Sequence, residues 1–521
     1  MWLGIDVGTG SARAGLFDSA GALLGSDQAP LEIDRPAPDH AEYRSKQIWD
    51  AVCRACQGAL KAANVAGYAV EGIGFDATCS LVVEGGTVSD SGADSIVWMD
   101  HRALEDAAQI NAGDHDVLRY VGGTISPEMQ VPKLRWLLRN RPGAVGEARF
   151  FDLPDWLSFR ATGSETRSLC SVVCKWTYRG HLGRSGEGWD DAFFDQIGLG
   201  PVTGAGHASI GTSFAAPGEV VGTLTAEAAR ELGLTEGVPV AAGLIDAYAG
   251  ALGSLWAAAD VPAEGRLALI GGTSACHVAL TDEASFVPGV WGPYFEVILP
   301  GLWALEAGQS AAGALIDRLI AGHPAGAPGK DLYADLDARL TSLAGGAENT
   351  HRLGARRHIG PDVLGNRAPL ADPGRRGALI GFDLDTSLDD LVLTYLAGLQ
   401  ALAHGTRQIV DEMAAQNVEV TALTVSGGLA KSPLYLREHA DATGLPVIIP
   451  QAQEPVLLGA AMLARAAAEG APLIDVAKSM AGPAQTIAPR PQTRAFHDAK
   501  QRVFRRMQQD AIAYDNEMDG L

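Results

Sequence analysis

Apolar residues in this chain fall into short runs that stop abruptly at glycine, hydroxyl or carboxylate side chains. The first run covers 2–7, meets Gly8-Thr9-Gly10-Ser11, and resumes through Leu16-Phe17-Asp18 before the Ala20-Gly21 turn. Two runs joined by a few Gly and hydroxyl residues predict a β-hairpin. A third strand is expected over 23–31, followed by an exposed connection with Pro30, Pro36 and Pro38. Over 46–63 the spacing of Ile48, Trp49, Val52 and Leu60 predicts an amphipathic helix. Residues 70–83 read as a buried strand, a polar turn and another strand, and 96–102 again end an apolar run in polar groups. Strands that deliver polar residues at their ends are how open α/β sheets build a binding crevice.

Farther along, Ser126 and Pro127 make an N-cap and first helical position for a helix running towards Asn140. A helix over 156–161 ends at Gly163. Lys175, beside Trp176, is either a snorkelling surface lysine or an anion-binding group. Residues 241–247 form a strand that runs into small residues and ends at Asp246, where a helix over 247–258 starts. A carboxylate there is either an N-cap or a general base with room for a substrate beside it. The stretch 266–280 repeats the opening plan, with Gly-Gly-Thr-Ser in place of Gly-Thr-Gly-Ser. Two such copies predict two domains of similar design facing each other across a cleft. Gly308-Gln309-Ser310 is expected to open a helix through Gly313 to Ile320, with an N-terminus suited to an anion. Six arginines between 352 and 376 read as a solvated loop in preference to a basic site. A helix over 388–416 and a strand over 418–425 precede Ser426-Gly427-Gly428. Ser432-Pro433 opens another helix, 447–450 is a buried strand, Gly459-Ala460-Ala461 marks a closely packed helix, and a charged helix begins at Arg494.

At 521 residues the chain calls for two or more domains, and 47% apolar with 20% charged residues describes a folded protein. The net charge of −22 argues against a nucleic-acid or acidic-membrane surface. An anionic ligand must then be held by local dipoles, a few basic side chains and a divalent cation. Six scattered cysteines favour reduced thiols, with Cys53 and Cys56 as neighbours on one helix. The most apolar long stretch, 238–259, carries Asp246 at its middle and is no membrane span. With no targeting segment recognised, a cytoplasmic protein is expected.

The opening loop carries the chemistry. Its glycines let backbone N–H groups approach an anion, Thr9 and Ser11 can donate to phosphate oxygens, and Asp6 can hold a cation. A plain glycine-rich hairpin is one reading. A dinucleotide loop needs Gly-x-Gly-x-x-Gly opening a helix, but Arg13 stands at the third glycine and a strand follows. A Walker loop needs Gly-Lys-Ser/Thr, which is absent. The remaining reading is the Asp-x-Gly-Thr loop of the actin-like ATPase fold.

Several motifs carry a resemblance to the FGGY carbohydrate kinases, and among them to the pentulose kinases that phosphorylate D-ribulose. They are Asp6-Val-Gly8-Thr9, Gly-Phe-Asp-Ala-Thr-Cys-Ser-Leu-Val (74–82), Trp98-Met-Asp-His-Arg102 and Ser126-Pro-Glu-Met-Gln130. Cys174-Lys-Trp-Thr-Tyr178, Asp246-Ala-Tyr, Gly308-Gln-Ser, Gly365-Asn-Arg367 and Ser426-Gly-Gly428 complete the set. The string Thr78-Cys79-Ser80-Leu81-Val82 is similar to that of D-ribulose kinases. The resemblance implies an α/β fold of two actin-like ATPase (ribonuclease H-like) domains with a central cleft. Residues 1–255 would bind mainly the sugar and supply the base, 256–485 would bind mainly ATP, and 486–521 would form a helical tail. Asp246 would be the catalytic base. Ala77, Thr78, Trp98, Asp100, Glu128 and Lys175 would line the sugar pocket with it. Gly8, Thr9, Gly10, Ser11 and Arg13 would approach the transferring phosphate. Gly272, Thr273, Gly308, Gly313, Gly427 and Gly428 would hold ATP, and Asp6 and Asp246 would serve Mg²⁺. Ser432 departs from the pattern, since many relatives carry Asn beside the adenine.

The expected reaction is ATP-dependent phosphorylation of D-ribulose to D-ribulose 5-phosphate. The alternatives are the same reaction on L-ribulose, xylulose or ribitol and, in another class, an actin- or chaperone-like ATPase without a sugar acceptor. The expected partners are a sugar and ATP, with no nucleic acid and no membrane, and the resemblance allows a homodimer.

Overall fold

The computed structural model describes residues 1–326 and 332–519. Two seven-stranded mixed sheets organise the chain. The first contains β1 (Trp2–Val7), β2 (Ser11–Phe17), β3 (Leu23–Pro30), β4 (Gly72–Ala77), β5 (Val220–Thr223), β6 (Pro239–Ala241) and β7 (Leu244–Ile245). Its order is β5-β6-β4-β1-β2-β3, with β7 also on β4. The second is built from β8 (Arg266–Gly271), β9 (Ala275–Thr281), β10 (Trp291–Phe295), β11 (Trp303–Gln309), β12 (Ala422–Ser426), β13 (Val447–Pro450) and β14 (Ala484–Ile487), in the order β10-β11-β9-β8-β12-β13-β14.

The repeat seen in the residues is a repeat of topology. β1 pairs antiparallel with β2 through Val7 opposite Ala12, and parallel with β4. β8 pairs antiparallel with β9 through Gly271 opposite Ala275, and parallel with β12. All six residues of β1 are buried, which is the near-continuous apolar pattern of a strand covered on both faces. The helices that matter for the site are α1 (Ser45–Ala63), α2 (Asp246–Leu255), α3 (Leu388–Ala415), α4 (Pro455–Glu469) and α5 (Arg494–Asp519).

Helix α4 comes from the second half of the chain but lies on the first sheet. Its backbone approaches so closely that a Cβ on Gly4 would sit 2.2 Å from the Leu457 carbonyl oxygen, and one on Gly74 would sit 2.0 Å from that of Ala460. On its other side a Cβ on Gly459 would lie 2.1 Å from the Ala249 carbonyl oxygen, in α2. Glycine in a strand often marks a close backbone approach of this kind. The small residues at 459–461 therefore wedge α4 between α2 and the first sheet.

Several expected elements shift. The helix expected from Pro127 begins at Gln130, because the Ser126 hydroxyl accepts from the Glu128 N–H (3.2 Å) and closes a local turn. Gly308 does not open a helix: it lies in β11, and the helix runs Gly313–Ala321. The arginine-rich stretch is only partly a solvated loop. Arg357 and Arg375 are buried, and Arg357 pairs with Asp390 on α3. The tail helix packs on the second half, where Lys500 donates to the carbonyls of Gly354 and Arg357 at 2.7 Å each.

Gly74→Ala is expected to destabilise the protein by about 1–3 kcal/mol, because a methyl group has no room beside Ala460. A urea melt should show a lower midpoint; an unchanged midpoint would overturn the close-packing account.

Candidate active site

A cleft of about 640 Å³ opens where the two hairpins face each other. From the first half it is lined by Asp6, Gly8, Thr9, Arg13, Thr78, Trp98, Glu128, Lys175 and Asp246. From the second half come Gly272, Thr273, Gly427 and Gly428. Thirteen residues singled out in the sequence thus meet in one place.

Strand register explains the acidic floor. Asp6 on β1 lies beside Asp76 on β4, and Ala77 lies beside Ile245, the last residue before Asp246. Asp246 is the first residue of α2 and not its N-cap; its Oδ1 accepts from the Ala247 N–H at 2.7 Å. Burial, and next the charge of Asp6, push the Asp246 carboxyl up to about 6. Asp76 is fully buried and neither of its oxygens meets a donor. Burial first and the Asp6 charge next hold its carboxyl well above the usual range. Asp6 is compensated by Arg13, whose Nε donates at 2.6 Å, while Arg13 Nη1 reaches Glu454 at 2.9 Å.

The other wall is a chain of alternating charges. Lys175 ends the helix Leu169–Lys175, with Nζ 3.6 Å from Glu306 and 4.6 Å from the centre of the Trp291 ring. Burial lowers its affinity for a proton, but Glu306, together with Cys79, Tyr294 and Cys174, outweighs this and its pKa lies well above the usual lysine value. It is therefore neither snorkelling nor solvated. Tyr248 Oη donates to Glu306 at 2.7 Å. Arg367 donates from Nη2 to Glu128 at 3.1 Å and also stacks on Trp291. This ion pair joins the two halves of the chain across the cleft.

Hydrogen bonds tie Trp98 and Thr78 to the end of β1 and the loop after it. Trp98 Nε1 donates to the Thr9 hydroxyl at 3.0 Å, and Thr78 N donates to the Val7 carbonyl at 3.0 Å. Lys133, fully buried, holds the carbonyls of Val97, Trp98 and Glu128 within 3.1–3.3 Å.

Seven of the anticipated residues do not line the cleft. Asp100 is fully buried, and its oxygens accept from the Ala41 N–H (2.6 Å) and from Arg102 (2.7 and 2.8 Å). Ala77 is sealed between β1 and β7. Gly10 lies in the β1–β2 turn and Ser11 opens β2; the Gly10 carbonyl accepts from Leu31 and that of Ser11 from Gly8. A Cβ on Gly308 would sit 3.1 Å from Cδ of Arg367, so this position leaves room for that arginine. The N–H groups of Ala312, Gly313 and Ala314 already donate to the carbonyls of Gly272 and Thr273 at 2.8–3.1 Å, so this helix start is not free for an anion. Ser432 caps the helix Pro433–Thr443 by accepting from the Tyr435 N–H at 3.2 Å.

Sequence reasoning missed Glu306, Trp291 and Lys431, which line the cleft, and met Asp76 only within a motif. It met Arg367 only within a motif and in a loop read as solvated. Asp76 could have been found from its place inside an apolar run; the others stand in no pattern a single chain displays. The residues fit a divalent cation, since buried carboxylate oxygens of Asp76 lie unpartnered beside Asp6 and Asp246. Among the described residues no three acidic, His or Cys side chains cage an ion by themselves. That is the usual arrangement for Mg²⁺, which takes one or two carboxylates plus substrate phosphates.

Arg367→Met leaves Glu128 without its buried counter-charge and should cost about 3 kcal/mol in a denaturant melt. The double variant Arg367→Met/Glu128→Met should recover most of that loss; equal instability of the single and double variants would overturn the pairing account.

Comparison with known proteins shows the family. The family model described as the FGGY family of carbohydrate kinases, N-terminal domain, matches residues 1–253, and the corresponding C-terminal domain matches 267–468. An FGGY carbohydrate kinase domain-containing protein of Danio rerio is 43% identical, covering 98% of this chain and 97% of that protein. The D-ribulokinase of Saccharomyces cerevisiae is 37% identical, covering 90% of this chain and 72% of that protein. The crystal structure of xylulose kinase from Rhodospirillum rubrum superposes with a TM-score of 0.78 at 22% identity, covering 98% and 99% of the two chains; it shows the fold.

Proposed function

The chain belongs to the FGGY family of carbohydrate kinases, and from that premise we propose that it transfers the γ-phosphoryl group of ATP to the terminal hydroxyl of D-ribulose. The observation that carries the reading is Asp246, a carboxylate at a helix start in a cleft that both glycine hairpins line. The 37% identity to a D-ribulokinase over 90% of this chain supports the choice of sugar. The two-domain actin-like architecture of the family accounts for the paired sheets.

In this reading residues 1–255 carry the base and most of the sugar contacts, 256–485 carry the nucleotide, and 486–521 form a helical tail. Asp246 takes the proton from the terminal hydroxyl as its oxygen attacks the γ-phosphorus, and ADP leaves. A base near pKa 6 is ionised at neutral pH yet basic enough to accept that proton. Thr78, Trp98, Glu128 and Lys175 hold the sugar's oxygens; Lys175 faces the sugar as a cation because Glu306 keeps it charged. Gly8, Thr9, Arg13 and Gly272-Thr273 face the phosphates, and Gly427, Gly428 and Lys431 face the rest of the nucleotide. Mg²⁺ supplies charge neutralisation on the phosphates when bound, with Asp6 and Asp246 as the residues that would hold it. Phosphoryl transfer asks the protein chiefly for alignment and charge stabilisation. Closing the cleft around both substrates keeps water from the phosphate.

Asp246→Asn should lower kcat by about 10²–10⁴-fold while leaving the thermal melt in place. Near wild-type turnover in a coupled kinase assay would remove Asp246 from the role of base. Because the folded cleft raises this carboxyl, kcat/KM should fall with decreasing pH through about 6, where an ordinary carboxylate would hold the activity down to about pH 4. Across D-ribulose, L-ribulose, xylulose and ribitol, D-ribulose should give the highest kcat/KM; a preference for xylulose would overturn the assigned sugar.

A further inference from the structure

Where β11 ends, a second cavity of about 10 Å³ lies behind the cleft wall, and it is the size of a single water site. Gln309, the last residue of β11, lines it together with Arg367, Asn366, Gln408 and Phe504 of the tail helix α5. Most of its polar groups are engaged. Asn366 donates to Asp362 at 2.9 Å and accepts from the Leu370 N–H at 3.0 Å, and Gln408 accepts from Gln508 of α5 at 3.1 Å. Among the described residues that line the cavity, two buried side-chain atoms have no partner: Arg367 Nε, a donor, and Gln309 Oε1, an acceptor. The Gln309 amide is oriented by its other end, since Nε2 donates to the Leu402 carbonyl at 2.8 Å. A Cβ on Gly405, in α3, would sit 2.2 Å from that nitrogen, so the helix leaves the amide its place. Gln309 and the Arg367 side chain are each only 8% exposed, which keeps bulk solvent from serving either atom.

We propose that one water molecule in this cavity accepts from Arg367 Nε and donates to Gln309 Oε1, which makes Gln309 a positioning residue for Arg367. A buried donor and acceptor left unmet are costly, and a bridging water meets both. The guanidinium is then held on each of its edges. Nη2 donates to Glu128 at 3.1 Å across the cleft, Nη1 reaches Cys276 Sγ at 3.5 Å, and Nε is fixed from behind. Held in this way it cannot swing, and it presents the Glu128 carboxylate to the cleft in one orientation. Gln309 itself does not line the cleft. The inference rests on Glu128 holding the sugar as proposed, and through it Gln309 acts on sugar binding from outside the site. The tail helix enters the same chain of contacts, because buried Phe504 is an apolar side of the cavity and limits it to one water. The tail thereby supports the sugar site from the far side of the second half.

The test is a double-mutant cycle on the full-length protein. Gln309→Leu keeps the bulk of the side chain and removes the acceptor; it should raise the KM for the sugar about tenfold, with kcat and the KM for ATP changed less than about twofold. Phe504→Ala enlarges the cavity from the tail side and should raise the sugar KM roughly threefold. In an Arg367→Met background neither substitution should raise it further, because both act through that arginine. The same cycle read in urea melts should show losses for Gln309→Leu and Arg367→Met that fall short of additive by at least about threefold in the unfolding constant. A Gln309→Leu variant with the wild-type sugar KM would overturn the proposal. So would a rise that persists without Arg367, or strictly additive losses in urea. The urea cycle needs no substrate, so it decides the matter even for an enzyme that takes none of the pentuloses, and separates that failure from this one.

Discussion

The approach of α4 to the first sheet is the contact on which the rest depends. Backbone meets backbone there, with carbonyl oxygens of Leu457 and Ala460 in the space a side chain on Gly4 or Gly74 would need. The helix belongs to the second half of the chain, so its seat on the first sheet sets the spacing of the two hairpins. The same helix begins at the cleft: Glu454, at its N-cap, holds Arg13, and Arg13 holds Asp6. A change in how the helix lies would move a carboxylate in the site. Packing and chemistry are thus coupled through one element.

Electrostatics determine what the cleft can do. The protein is acidic as a whole, and the cleft gathers Asp6, Asp246, Glu128 and Glu306 in one place. Three cations make this tolerable: Arg13 pairs with Asp6 and also with Glu454, Lys175 with Glu306 and Arg367 with Glu128. Asp246 has no such partner, and burial first, then the Asp6 charge, raise its pKa. A buried carboxylate left without a cation beside a like charge binds its proton more tightly than a solvated one. Because Glu306, Trp291 and Arg367 come from the second half of the chain, the wall that holds Lys175 and Glu128 is not the work of the first half alone.

Much of the fold was legible in the residues. The two apolar–glycine–apolar runs near 2–17 and 266–281 are hairpins of the same topology, and the strand at 447–450 lies where its four residues place it. Periodicity is read over neighbours, and neighbours determine strands and helices. What failed was of another kind. The stretch from Gly308 to Gly313 looks like an anion-binding helix start, yet the N–H groups of Ala312, Gly313 and Ala314 donate to the carbonyls of Gly272 and Thr273 some forty residues earlier. Asp100 looks like a cleft residue, yet its oxygens are taken by Arg102 and the Ala41 N–H.

By itself the sequence determined the element pattern, the doubled hairpin, and the short motifs that carry Asp6, Thr78, Glu128, Lys175 and Asp246. Only the tertiary structure decided which polar groups remain free to meet a ligand. A buried donor or acceptor is claimed by whichever partner packing brings within hydrogen-bonding distance, and that partner stands tens or hundreds of residues away. Arg367 shows the difference most plainly. In the chain it is one of six arginines in an irregular stretch; in the fold it spans the cleft to Glu128, 239 residues distant, because Gly308 leaves it room to pass.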